Sequence, residues 1–105
     1  MAALESAIQK AVVTWAREKY KGKLIARKFQ AGKFGSNGWP DYEFLVPGGM
    51  VFHIEFKAER GICTPLQLQR HKELREIGHP VYVADTVSAG RRIIELEMRC
   101  ALAAA

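Results

Sequence analysis

The chain has 105 residues, 49% hydrophobic and 26% charged, with a formal net charge of +5. This is the length of one domain and the make-up of an ordinary soluble globular protein. No run of about eighteen apolar residues occurs, which excludes a membrane span.

Met1-Ala2-Ala3-Leu4-Glu5 has no basic stretch followed by an apolar one, so the expectation is an intracellular, cytoplasmic protein rather than a secreted one. The two cysteines, Cys63 and Cys100, have no Cys-x-x-Cys spacing and no histidine at zinc spacing, which fits reduced thiols. Basic residues gather early (Arg17, Lys19, Lys21, Lys23, Arg27, Lys28, Lys33) and again later (Arg70, Lys72, Arg75, Arg91, Arg92). Such a domain suits a polyanion, because neutralising phosphates releases counterions; solvated lysines explain the same composition.

Leu4, Ile8, Ala11, Val12 and Trp15 recur at helical spacing and predict a helix over 4–20, ended by Gly22. Residues 23–30 read as a strand, and 31–40, with Gly32, Gly35, Gly38 and Pro40, as a loop. Residues 41–46 and 51–57 read as two strands joined by Pro47-Gly48-Gly49. After a loop over 58–63, Thr64 is placed to cap a helix, with Pro65 at its first position and Gln67 at the capping-box position. Leu66, Arg70, Leu74 and Ile77 supply its predicted stripe and Gly78 its stop. Residues 81–84 read as a short buried strand. A last helix is predicted over 87–103, with Ile93, Ile94, Leu96 and Leu102 on its apolar side. The order is α-β-β-β-α-β-α in a single domain over 1–105, an α/β fold. Its β-α-β crossover implies a mixed β-sheet flanked by helices.

The strand over 51–57 alternates. Phe52, Ile54 and Phe56 point to the core, while Val51, His53, Glu55 and Lys57 point the other way. Glu55 and Lys57 therefore lie side by side. Whether Asp41 joins them depends on the turn. A three-residue loop pairs Val46 with Met50 and sets Asp41 opposite Glu55; one more residue would flip Asp41 to the other face. Two carboxylates beside a lysine can bind Mg²⁺ or Mn²⁺ through hard oxygen ligands, with the carbonyl of Phe56 as a further ligand. The ammonium of Lys57 could orient a water or stabilise developing charge. Glu-x-Lys alone also fits an ordinary solvated strand face.

The longer string is more specific. Gly38-Trp39-Pro40-Asp41, then Glu55-Phe56-Lys57, Gly61, Thr64, Gln67 and Gly78 resembles the VRR-NUC family, the virus-type replication-repair nucleases of the PD-(D/E)XK superfamily. The resemblance runs from the first helix to the fourth strand and implies a restriction-endonuclease-like core. It implies that Asp41 and Glu55 are metal carboxylates and Lys57 the catalytic lysine. It also implies that Glu5 reaches the metal through water and that Gln67 serves at the head of the second helix. Glu5 equally suits the helix macrodipole, and Gln67 equally suits the capping box.

Around these, His53 and Glu43 could line the cleft or be ordinary polar residues of the sheet face. His71 and His79 read as surface residues. Trp39 packs in the core or stacks on a base. Lys28, Lys33, Ser36 and Asn37 could hold DNA phosphates or form a plain solvated loop.

The function implied is a metal-dependent endodeoxyribonuclease. Stand-alone family members resemble Holliday-junction resolvases, so the expected partner is branched DNA and the expected assembly a homodimer, with the last helix as one candidate surface. A helicase or replication partner is left unnamed. A non-cleaving nucleic-acid-binding module or accessory subunit of the same fold is the alternative, and a sequence-specific restriction-type enzyme another. Two carboxylates facing DNA without a metal would repel phosphate, which argues against the module.

Overall fold

The computed structural model describes residues 3–29 and 38–105. Helix α1 (Glu5–Lys19) leads into strand β1 (Ile25–Lys28). Strands β2 (Tyr42–Val46) and β3 (Met50–Phe56) follow, joined by a 3₁₀ turn over Pro47–Gly49. Helix α2 (Pro65–Glu76), strand β4 (Val81–Ala84) and helix α3 (Val87–Ala104) complete the order. The sheet runs β1-β2-β3-β4. β1 and β3 each pair antiparallel with β2, while β4 pairs parallel with β3 across the α2 crossover. The α/β class, the mixed sheet and the element order predicted from the sequence are those observed.

The turn sets the register. Gly48 and Gly49 take φ values of 82° and 70°, a region closed to most side chains. The three-residue loop pairs Val46 with Met50, Phe44 with Phe52 and Tyr42 with Ile54. Asp41, one residue before β2, is thereby carried to the level of Glu55.

One sheet face carries Phe44, Phe52, Ile54 and Phe56, packed against Ile8, Val12, Val13 and Ala16 of α1 and Ile94, Met98 and Ala101 of α3. Phe44 and Phe52 stack with ring centroids 4.9 Å apart. Burying side chains of this size contributes about 1.5–3 kcal/mol each. The predicted helix faces need adjustment at their edges. Leu4 and Ala11 are exposed on α1, where Val13 and Ala16 are buried instead. Leu96 and Leu102 are exposed on α3, where Gly90, Glu97, Met98 and Ala101 turn inward beside Ile94. Buried Glu97 has a reason to be there: it accepts a hydrogen bond from the hydroxyl of Tyr82 on β4. Burial and that bond push the Tyr82 hydroxyl up to about 12.

Helix α2 covers the other face, and here the predicted stripe is buried only at Leu74. Leu66 is 52% exposed and Ile77 73%, while the buried residues of α2 are His71 and Leu74. The reason is what lies beneath: His53 and Glu55 are buried on that face of β3. A helix laid over polar groups turns polar side chains towards them, so apolar periodicity does not report its inward line. His71, read from the sequence as a surface residue, is 0% exposed. His79 is half-buried, its ring 5.8 Å from that of His53.

The start of α2 is fixed twice. Thr64 accepts a hydrogen bond from the amide of Gln67, and the Gln67 side chain accepts one from the amide of Thr64. Gly38 packs directly on this turn, at φ +78°; a Cβ there would stand 2.6 Å from the carbonyl oxygen of Leu66. Gly38→Ala should therefore destabilise the protein by about 2 kcal/mol or more, from backbone strain and a clash that no side-chain rotation relieves. Denaturant unfolding at equilibrium checks this. A midpoint equal to that of the parent would contradict the close approach.

Candidate active site

Pro40 is buried and delivers Asp41 to the end of the sheet. The backbone carbonyl of Asp41 accepts from the amide of Phe29 at 2.8 Å, tying it to the β1 side. Its carboxylate Oδ2 accepts from the amide of Phe56 at 2.8 Å, tying it to β3. Asp41 is thus held between two strands by its own main chain and side chain. The even register the hairpin had to supply is present.

Glu55 projects from β3 beneath α2, its side chain 1% exposed. Glu5, in the first turn of α1, approaches from the other side of the sheet's end. One carboxylate oxygen each from Glu5, Asp41 and Glu55 lies within 4.8 Å of the others, the one such acidic group among the described residues. The three come from α1, from the residue before β2 and from β3, so only the tertiary fold assembles them.

Crowding shows in their protonation. The Asp41 carboxyl is pushed up to about 7, first by burial, then by its hydrogen bond with Glu55 and by the charge of Glu55; the Phe56 amide and Lys57 pull the other way. Glu55 is raised mainly by burial, against the Asp41 hydrogen bond and Lys57. Glu5 is raised by partial burial and then by Asp41. Burial raises all three carboxyls and Lys57 offsets it only in part; converging carboxylate oxygens of this kind are a donor set suited to a divalent cation.

Lys57, next after β3, reaches the rim. Its Nζ donates to Oε1 of Gln67 at 2.7 Å, the same oxygen that accepts from the amide of Thr64 at 2.8 Å. Capping and contact with Lys57 are therefore one arrangement, and Gln67 does both. Lys28, at the end of β1, lines a cleft of about 540 Å³ with Glu5, Asp41, Ser6 and Gln9. Sequence reading missed Ser6 and Gln9; Gln9 lies one helical turn after Glu5, and that i,i+4 spacing was the available signal.

The remaining candidates stand apart. Glu43 pairs across the strands with His53, and its Oε1 lies 3.8 Å from Nε of Arg27. His53 is 2% exposed and faces Trp39 and His79, not the carboxylates. Trp39 packs between Phe29 and His53, with the Arg70 guanidinium 5.8 Å from its ring centre. Lys33, Ser36 and Asn37 fall outside the described residues.

Three comparisons with known proteins bear on this geometry. A comparison with models of protein families finds no match. The chain is 38% identical over 82 residues to "Putative nuclease p44" of Acyrthosiphon pisum secondary endosymbiont phage 1, covering 78% of this chain and 83% of that protein. Its fold is similar to a solved structure described as a VRR_NUC domain, with a TM-score of 0.69 and 28% identity over 90% of this chain and 97% of that one.

Proposed function

The chain belongs to the VRR-NUC nuclease family, and from that membership and the geometry of its acidic cluster we propose that it is a metal-dependent endodeoxyribonuclease. The observation that carries the reading is the convergence of Glu5, Asp41 and Glu55, oxygens within 4.8 Å, beside Lys57. Asp41 and Glu55 are the residues that would hold Mg²⁺ or Mn²⁺, with the Phe56 carbonyl as a further ligand and Glu5 acting through water. A divalent cation there supplies Lewis acidity, lowering the pKa of bound water and offsetting charge on a phosphate.

The protein groups do the rest. Asp41 is set by the Phe56 amide, so its second oxygen has a defined direction. Lys57 presents an ammonium to the nucleophilic water or to the charge gathering on the phosphoryl oxygens. Gln67 holds that ammonium in place by accepting one of its protons. Lys28 lines the same cleft as Glu5 and Asp41 and is a candidate to pair with a neighbouring phosphate.

We further propose branched DNA, such as a four-way junction, as the substrate, cut by a homodimer whose two sites act on two strands. The exposed flank of α3 that carries Leu96 and Cys100 is one candidate dimer surface. Cleavage of a synthetic four-way junction, a flap and a plain duplex in Mg²⁺ tests this. Faster cutting of the junction than of the duplex, independent of sequence, is expected. Equal rates, or cutting at one fixed sequence only, would overturn the substrate assignment.

A further inference from the structure

We propose that His71 is a positioning residue that aims the Glu55 carboxylate into the metal site. The proposal rests on the metal-site reading above and adds a residue to it. Nε2 of His71 lies 3.3 Å from Oε1 of Glu55, and both side chains are 1% exposed. Buried this far from solvent, the two side chains orient one another through this contact.

The contact follows from two periodicities. Gln67 and His71 are one helical turn apart on α2, an advance of about 6 Å. Lys57 and Glu55 are two residues apart on one face of the strand, an advance of about 6.6 Å. The spacings nearly match, and α2 runs opposite to β3 across the crossover. Gln67 therefore meets Lys57 and His71 meets Glu55 in a single docking of helix on strand. The arrangement that sets the lysine also sets the carboxylate.

The hydrogen-bond inventory fixes the tautomer. A carboxylate only accepts, so Nε2 of His71 carries the hydrogen towards Glu55. Nδ1 is buried with no partner among the described residues. Placing the hydrogen on Nε2 gives Glu55 its donor and avoids burying an unpaired N–H at Nδ1, so the neutral Nε2–H form suits the ring. The terminal torsion of a glutamate is broad and two-fold, and left alone it would sweep its oxygens through many directions. Anchoring Oε1 removes that freedom and sets the direction of the carboxylate towards Asp41. Groups that hold a metal's ligands in this way are commonly worth a 10–100-fold change in metal affinity.

The test is Mn²⁺ affinity by titration calorimetry, with thermal unfolding in EDTA as a separate readout. His71→Leu should bind Mn²⁺ about tenfold or more weakly. Without metal it should lose some stability, because a buried Glu55 oxygen is left without its donor. His71→Asn, whose shorter amide stands where Nδ1 was, should bind equally weakly, and it carries the test if the leucine variant fails to fold. His71→Gln, whose amide nitrogen reaches the place of Nε2, should restore binding to within about threefold of the parent. Parent-like affinity in the leucine or asparagine variant would overturn the proposal. So would equal weakness of the glutamine variant, because packing alone would then explain the loss. Asp41→Asn separates the two readings. If the parent binds no Mn²⁺, or binds it no better than Asp41→Asn, the metal site itself fails and the role of His71 with it. If binding depends on Asp41 but not on His71, only His71 is removed.

Discussion

Replacing Lys57 by alanine should lower the single-turnover rate of phosphodiester cleavage by about 10²–10³-fold while leaving the fold and Mn²⁺ binding in place. The direction follows from position. The Lys57 ammonium stands at the rim of the acidic cluster, held by Oε1 of Gln67 at 2.7 Å. It is the only cation anchored there by a hydrogen bond to α2 among the described residues. In the proposed mechanism its truncation removes a charge that acts on the reacting phosphate but no metal ligand, so metal affinity should hold or rise slightly. Lys57→Arg should not restore the rate, because a planar fork cannot present a point charge in the same place. Gln67→Ala should show a milder loss together with a weaker α2 N-terminus, since that one side chain serves both. Rates within about threefold of the parent for Lys57→Ala would place the chemistry elsewhere.

Replacing Asp41 by asparagine should move activity and stability in opposite directions. Metal binding should fall by more than the roughly 10–100-fold typical of a residue that merely supports a ligand. Without metal, the variant should be the more stable protein at alkaline pH. The sign follows from protonation. Asp41 in the folded protein titrates at about 7, against an ordinary 3.8. Its contribution to stability is therefore fully present below pH 3.8 and is lost as pH rises through about 7. Asparagine has no proton to lose. It keeps an oxygen for the Phe56 amide and gains an N–H for Glu55. In EDTA, the melting temperature of the parent should drop between about pH 4 and about pH 7, while that of Asp41→Asn should drop less. Parallel melting curves across that range would mean that the carboxyls do not share a proton.

The sheet and its hairpin were legible because both rest on local rules. Gly48 and Gly49 specify a tight loop, the loop specifies the Val46–Met50 pairing, and two-residue alternation carries Asp41 to the level of Glu55. The cap of α2 was equally plain in Thr64, Pro65 and Gln67. What stayed hidden was the inward line of α2. Of the stripe Leu66, Arg70, Leu74 and Ile77 only Leu74 is buried, because the helix lies on Glu55 and turns His71 towards it. Helical periodicity registers apolar burial and is blind to a polar interior, which is what an acidic site beneath a helix requires. Glu5 shows a related gap. Its place in the first turn of α1 explains it locally, and only the packing of α1 on the sheet brings it to the carboxylates. Gly38 sits between these cases: its need for positive φ is local, but its contact with Leu66 depends on α2 reaching it.

The most direct test is the nicking of supercoiled plasmid by the purified protein in Mg²⁺, with EDTA and the Lys57→Ala variant run beside it. The expected result is nicked and linear plasmid with the parent in Mg²⁺, and intact plasmid with EDTA or with Lys57→Ala. Nicking that persists in EDTA, or that Lys57→Ala performs as well as the parent, would contradict a metal-dependent site built on Asp41, Glu55 and Lys57.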